Sequence, residues 1–173
     1  MYICRQLRGD SVSPLLLGYM IDSKKVTSLC EETLRDFDGF LVEVSIDEHN
    51  NINILADTDA GITIEQLKMV SRNVEGNLDR EKEDYTLTVS SPGLSRPLDV
   101  YRMYVKNIGR EVKVKTNSDE KFQGILNVID ENTIELSWET REPKPIGKGK
   151  VTVEKKERIA MQDIKETKLK ISI

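Results

Sequence analysis

The stretch YTLTVSSPGLSRPL, residues 85–98, decides how this chain is divided. Its first half alternates apolar and polar side chains, with Tyr85, Leu87 and Val89 on one face, which is typical of a β-strand. Its second half breaks the alternation with Ser-Ser-Pro-Gly, and such residues end strands and form turns. The stretch therefore closes one folded unit, and it is suited to be a catalytic loop, a binding loop or a turn between two domains.

The sequence before this stretch predicts an α+β unit over residues 20–92. Asp22 and Ser23 are suited to cap a first helix, and Thr63 forms a capping box with Gln66 at the start of a second. The apolar periodicity predicts helix, hairpin, helix and strand at residues 22–38, 40–46, 52–56, 63–78 and 84–90. In this order, two amphipathic helices cover one face of a three-stranded sheet.

The sequence after it predicts a small all-β barrel over residues 107–173, joined through a linker at residues 93–106. Strands are predicted at residues 111–116, 121–129, 133–138, 151–155 and 167–171. Gly124 stands where a strongly bent strand needs a residue without a side chain. Residues 139–150 contain two prolines, two glycines and four basic residues, so we expect a flexible hairpin tip that projects into solvent.

The composition is that of a globular chain whose two parts differ in charge. The 173 residues are 38% hydrophobic and 32% charged, with a net charge of −4, which argues against a general nucleic-acid binder. Residues 1–105 carry a net charge of −7, whereas residues 106–173 carry +3. No segment is apolar enough to span a membrane, and Cys4 and Cys30 form no metal or disulfide motif, so we expect a cytoplasmic protein.

The residues needed for catalysis or cofactor binding do not form a recognisable set. A nucleophilic Ser90 or Ser91 needs a base, and the single histidine, His49, lies in a predicted turn. No Walker loop or GxGxxG motif occurs, and the calcium-loop-like segment at residues 57–68 lacks the required glycine and final glutamate. We therefore expect no catalytic residue, no metal, no cofactor and no small-molecule substrate.

The stretch itself is best interpreted as a structural and binding element. Ser91, Pro92 and Gly93 fit a type II turn, with proline at the second position and glycine at the third. Arg96 follows between apolar residues. Its guanidinium is suited either to clamp carboxylates and carbonyls within the protein or to bind an external phosphate or carboxylate. Sequence alone leaves both roles for Arg96 open.

The residues 85–98 resemble the hallmark of the RimP family of bacterial ribosome maturation factors, in which a strand runs into SSPGxxRPL. The segments VEVSID at residues 42–47 and GITIEQLKMVSRNVEGNLD at residues 61–79 are also similar to that family. The likeness extends over residues 24–171. It implies a KH-like α-β-β-α-β domain, an SH3-like or Sm-like barrel, and no catalysis. Residues 1–19 precede the usual start of the family, so we expect a disordered extension, with Met20 as the native start.

The resemblance implies binding to the maturing small (30S) ribosomal subunit, through rRNA, ribosomal proteins or both. We expect a monomer that contacts rRNA or a ribosomal protein, including the one at the decoding centre. The contact residues that we predict are Arg72, Arg96, Arg110, Lys113, Lys115 and Lys121. The alternatives are a protein–protein adaptor that uses the acidic N-terminal part, a general RNA-binding module, for which the GxxG loop is missing, and a hydrolase built on Ser91 and His49.

Overall fold

A computed structural model of the chain describes residues 21–79, 84–144 and 149–171. The predicted extension at residues 1–19 lies outside these ranges. The elements before the hallmark stretch are α1 (Ser23–Arg35), β1 (Phe40–Ile46), β2 (Asn51–Asp57), α2 (Ile64–Asn77) and β3 (Thr86–Ser90). The strands form one sheet in the order β1-β2-β3, in which β2 pairs antiparallel with β1 and parallel with β3. The predicted α-β-β-α-β unit is confirmed.

Local sequence sets both helix starts in this N-terminal unit. Asp22 caps α1 by accepting a hydrogen bond from the amide of Lys24 (2.9 Å). Thr63 and Gln66 form the predicted capping box at the start of α2. The apolar faces of both helices pack on the sheet, and the resulting core contains the fully buried side chains Val26, Cys30, Ile52, Ile54, Val70 and Val74.

The second unit begins with a short helix and continues as an antiparallel sheet. Its elements are α3 (Tyr101–Lys106), β4 (Glu111–Thr116), β5 (Lys121–Asp130), β6 (Thr133–Pro143), β7 (Lys150–Ala160), a 3-10 turn (Met161–Asp163) and β8 (Ile164–Leu169). The five strands have the order β7-β6-β5-β4-β8. At Gly124, where β5 passes from pairing with β4 to pairing with β6, a Cβ atom would lie 2.7 Å from the carbonyl oxygen of Ser137. The predicted need for glycine is therefore confirmed.

The predicted loop at residues 139–150 is wrong in extent. Strand β6 continues to Pro143, β7 already begins at Lys150, and the two pair in register from Thr133↔Ala160 to Pro143↔Lys150. Extended pairing satisfies backbone donors and acceptors that a loop would leave to water, which outweighs the turn-forming composition. The last strand was predicted at residues 167–171 and lies at Ile164–Leu169 instead.

The predicted type II turn at Pro92 and Gly93 is also wrong. The φ of Gly93 lies outside the left-handed region that the third position of such a turn requires. The turn instead spans residues 93–96, and the amide of Arg96 donates to the carbonyl of Gly93 (3.0 Å). Glycine is therefore the first residue of the turn, which leaves Leu94 at its tip.

The two units share an apolar contact. Phe40, at the start of β1, is buried in the same cluster as Leu98, Met103 and Tyr104, which also contains the core of the C-terminal sheet. The amide of Leu98 donates to the carbonyl of Thr167 (2.8 Å), and the hydroxyl of Tyr104 donates to Thr167 Oγ1 (3.0 Å). The predicted linker is thus packed onto the C-terminal sheet over much of its length.

Candidate binding surfaces at the junction and on the C-terminal sheet

Arg96 of the hallmark stretch is held by two carboxylates. Its Nη2 atom donates to Glu43 Oε2 on β1, and its Nε donates to Asp99 Oδ2 (3.1 Å). This arrangement ties the turn at residues 93–96 to the edge of the N-terminal sheet. Of the two roles that sequence left open, the geometry matches a clamp on carboxylates within the protein.

Two cations of the helix α3 also bind the N-terminal unit. Arg102 contacts Asp59 (2.8 Å) and Asp38 (3.4 Å) and stacks 4.9 Å from the ring centroid of Phe40. Its pKa is raised, chiefly by the hydrogen bond to Asp59. Lys106 donates to Asp57 Oδ2 (2.6 Å) and to the carbonyl of Thr58 (2.8 Å). Arg96, Arg102 and Lys106 together form what we call the ionic clasp, which joins the two units.

A cavity of about 350 Å³ lies beside the clasp. Its lining comes from both units and from the stretch between them, and it includes Ile62, Leu98, Met103 and Leu169 on the apolar side. Ser91, Pro92, Gly93, Leu94, Arg96, Lys106 and Arg110 also contribute to it. The predicted contact residues Arg96 and Arg110 therefore meet at one place, together with the predicted turn residues.

A second surface gathers lysines on the solvent side of β8, β4 and β5. Lys113 lies between Lys168 and Gln123 in the strand register, and Lys115 lies between Glu166 and Lys121. The groove that these side chains line measures about 610 Å³. We call Lys113, Lys115, Lys121 and Lys168 the lysine face. The alternation of side chains along a strand brings them together, because Val112 and Val114 on the opposite side of β4 are buried in the core.

The lysine face is only partly neutralised by neighbouring acids. Lys115 binds Asp119 (2.8 Å), which raises the pKa of the lysine and lowers that of the aspartate. Lys168 binds Glu166 (2.7 Å). Within the described part of the chain, Lys113 and Lys121 form no salt bridge and interact with Glu111 and Asp119 only through longer-range attraction, so their ammonium groups are open to an external anion.

The structure does not bring all six predicted contact residues together. Lys113, Lys115 and Lys121 share one surface, Arg96 and Arg110 line the junction cavity, and Arg72 is exposed on α2 in the N-terminal unit. The fold therefore does not form a single continuous site that includes all six residues.

The residues proposed for the hydrolase alternative lie in different parts of the structure. His49 is in the β1–β2 turn, where its amide donates to Asp47 Oδ1 (2.9 Å), and it does not line the cavity that contains Ser91. Among the described residues, no group of three or more potential metal ligands occurs. In the same ranges, no helix has the length and apolarity that crossing a membrane requires.

Sequence reasoning missed Arg102, Lys106 and Lys168. The first two are four residues apart on the short helix α3, and this spacing places them on the same side of the helix, opposite the buried Met103 and Tyr104. Lys168 lies in the last strand, which begins three residues before the predicted start at residue 167, and the sequence pattern does not indicate that this strand pairs with β4 and places Lys168 beside Lys113.

Comparison with known proteins identifies the family. A model of the RimP N-terminal domain matches residues 29–95. The ribosome maturation factor RimP of Christiangramia forsetii is 47% identical over 86% of this chain and 97% of its own length. Those of Flavobacterium psychrophilum and Porphyromonas gingivalis are 40% and 34% identical over 85% of this chain, and the alignments cover 96% and 97% of their own lengths. The two-unit fold and these matches together show that the chain belongs to the RimP family of ribosome maturation factors.

Proposed function

We propose that this chain is a non-catalytic assembly factor that binds the maturing small (30S) ribosomal subunit in the cytoplasm. Its membership of the RimP family supports this role, since its relatives are named as ribosome maturation factors. An assembly factor acts by binding, so this role needs no catalytic pair of nucleophile and base. We propose that the chain acts as a monomer, and that residues 20–92 and 107–173 are domains joined by residues 93–106.

The lysine face is the observation that carries the RNA part of this proposal. It gathers four cations from three neighbouring strands of one sheet, and two of them form no salt bridge in the described ranges. A compact ammonium group binds phosphate as a point charge and gains affinity by releasing counterions from the nucleic acid. We therefore propose that Lys113, Lys115 and Lys121, joined by Lys168, contact rRNA phosphates.

The other predicted contact residues take different places in the proposal. Arg96 is engaged by Glu43 and Asp99, so we assign it to holding the two units together. Arg72 is exposed on α2 and remains a proposed contact to rRNA or a ribosomal protein. The net negative charge of residues 1–105 favours basic ribosomal proteins as partners of the N-terminal unit, including the one at the decoding centre.

Sedimentation with immature small subunits tests the proposal. The full chain is expected to co-sediment at low salt and to dissociate as salt rises, because phosphate contacts are replaced by counterions. The variant Lys113→Gln/Lys121→Gln is expected to bind more weakly. The control Lys155→Gln/Lys156→Gln removes the same charge from β7 and is expected to bind as the original chain does. Absence of co-sedimentation at low salt would reject the proposed function.

A further inference from the structure

We propose that the junction cavity binds one unpaired nucleotide of single-stranded RNA. This inference rests on the proposed function, since it adds a second RNA contact beside the lysine face. The volume of about 350 Å³ lies within the range of roughly 300–1,000 Å³ that is common for small-molecule sites.

The cavity offers a floor that suits a planar ring. Leu98 and Met103 are buried at 4% and 5% exposure, and Ile62 and Leu169 add partly buried aliphatic surface. Leu94 stands at the mouth with 61% of its surface exposed, at the tip of the turn at residues 93–96. A base that leaves the RNA stack loses contact area, and apolar side chains that line a pocket replace part of it.

The charged groups that line the cavity favour a phosphate, since the three cations Arg96, Lys106 and Arg110 line it with a single carboxylate, Asp57. Lys106 binds Asp57, whereas Arg96 is shared by Glu43 and Asp99, which lie outside the lining and together exceed its charge by one. Arg110 is exposed and has no ion-pair partner among the described residues. One unneutralised guanidinium therefore stands at the edge of an apolar cavity, and its planar fork matches the oxygens of a phosphate.

A nucleotide fits this combination better than a peptide side chain does. An acidic side chain would satisfy Arg110 but would leave the apolar floor uncovered. An apolar or aromatic side chain would cover the floor but would leave the guanidinium without an anion. A nucleotide supplies a flat ring and a phosphate in one unit, and the hydroxyl of Ser91 at the rim is suited to contact the edge of the base.

Binding of a 5′-labelled single-stranded hexauridylate to the full chain, followed by fluorescence anisotropy, tests the inference. Arg110→Gln is expected to weaken binding about tenfold, since it removes a charge-assisted contact. Leu94→Asp is expected to weaken binding to a similar degree, because it places a carboxylate at the mouth without disturbing a buried group. Arg141→Gln removes an exposed arginine from β6 and is the charge-matched control, for which binding within about twofold of the original is expected.

A titration of the ¹⁵N-labelled chain with uridine monophosphate locates the nucleotide. Backbone amide shifts are expected at residues 91, 93–96 and 107–110. Shifts confined to the lysine face, or hexauridylate binding that is unchanged by both Arg110→Gln and Leu94→Asp, would overturn the inference. If Lys113→Gln/Lys121→Gln alone weakened binding to hexauridylate, the cavity would be rejected while the proposed function stood.

A photo-crosslinker at position 94 separates RNA from protein as the occupant in the complex with immature small subunits. Crosslinks to unpaired rRNA nucleotides are expected. Crosslinks to a ribosomal protein alone would overturn the inference without touching the subunit-binding role, whereas failure of the chain to bind subunits at all would reject both proposals.

Discussion

The pair formed by Lys106 and Asp57 should couple the stability of the two units. Their side chains are 19% and 11% exposed, which makes this the most enclosed ion pair among the described residues. Lys106→Met keeps much of the aliphatic stem but removes the ammonium group. In the original chain, the amides of Thr58 (2.8 Å) and Ile62 (3.2 Å) donate to Asp57 Oδ1. The second substitution, Asp57→Asn, keeps an oxygen that accepts these two hydrogen bonds. The double-mutant cycle over these two substitutions isolates the ionic contact, because the hydrogen bond from Lys106 to the carbonyl of Thr58 is lost in both backgrounds and cancels.

The expected cost follows from the degree of burial. Exposed ion pairs contribute about 0.2–1 kcal/mol, whereas breaking a fully buried pair costs about 3–5 kcal/mol. Since Lys106 and Asp57 retain a little water and Lys106 also donates to the carbonyl of Thr58, we expect Lys106→Met to cost about 2 kcal/mol, with a coupling to Asp57→Asn of about 1 kcal/mol or more.

Urea unfolding followed by circular dichroism measures this double-mutant cycle. The matched control is the pair of Lys155 and Glu142 at the β6–β7 hairpin, whose side chains are 47% and 42% exposed. Its coupling is expected to stay below about 0.5 kcal/mol. Equal coupling energies for the two pairs, or a cycle at Lys106 and Asp57 that closes to zero, would refute the assignment of the clasp as a stabilising contact.

Three other outcomes are expected. Burial raises the pKa of the Cys30 thiol from 9.0 to about 11, which lowers the fraction of thiolate at pH 8 about a hundredfold. In a chain whose other cysteine is replaced by serine, native Cys30 should therefore react with a disulfide reagent about a hundredfold more slowly than in the unfolded chain, and equal rates would contradict its burial. Gly124→Ala should lower the free energy of unfolding by about 2 kcal/mol, because the new Cβ meets the carbonyl of Ser137, and an unchanged urea midpoint would speak against the close approach of β5 and β6. The hydrogen bond from Lys115 lowers the pKa of Asp119, so this pair stabilises the fold at pH values above 3.8, the usual aspartate pKa, and the stabilisation is lost as pH falls through the lowered pKa. Lys115→Gln should return the pKa of Asp119 towards 3.8 in an NMR titration, and an unchanged pKa would argue against the pair.

Local signals predicted the N-terminal unit because its elements are fixed by neighbours in sequence. The capping box of Thr63 and Gln66 joins residues three apart, and the apolar spacing of α1 and α2 reports directly which face is buried. Gly124 was predictable for a similar reason, since a bent strand restricts the side chain at one position.

The contacts that define the candidate sites were less accessible to sequence reasoning. Lys106 and Asp57 are 49 positions apart, and nothing in either neighbourhood indicates the other. The partners of Arg96 were left open for the same reason, because Glu43 lies 53 positions away. The extent of β6 and β7 depends on backbone pairing between the two strands. The prolines and glycines of residues 139–150 are typical of a loop, so the sequence indicates shorter strands than the structure has.

The hallmark stretch takes on a more specific meaning in the structure. Its strand completes the N-terminal sheet, its turn places Leu94 at the mouth of the junction cavity, and Arg96 fastens the turn to Glu43 and Asp99. The segment that follows carries the two other cations of the ionic clasp. Residues 85–106 thereby hold the largely acidic N-terminal unit against the C-terminal unit, which presents the lysine face.

The salt dependence of binding to immature small subunits tests the central claim most directly. Each phosphate contact contributes roughly −0.7 to −0.9 to the slope of log K against log salt concentration, so Lys113→Gln/Lys121→Gln is expected to reduce the magnitude of the slope by about 1.5. Lys155→Gln/Lys156→Gln is expected to leave the slope unchanged. If both double variants gave the slope of the original chain, the lysine face would not be the surface that contacts rRNA.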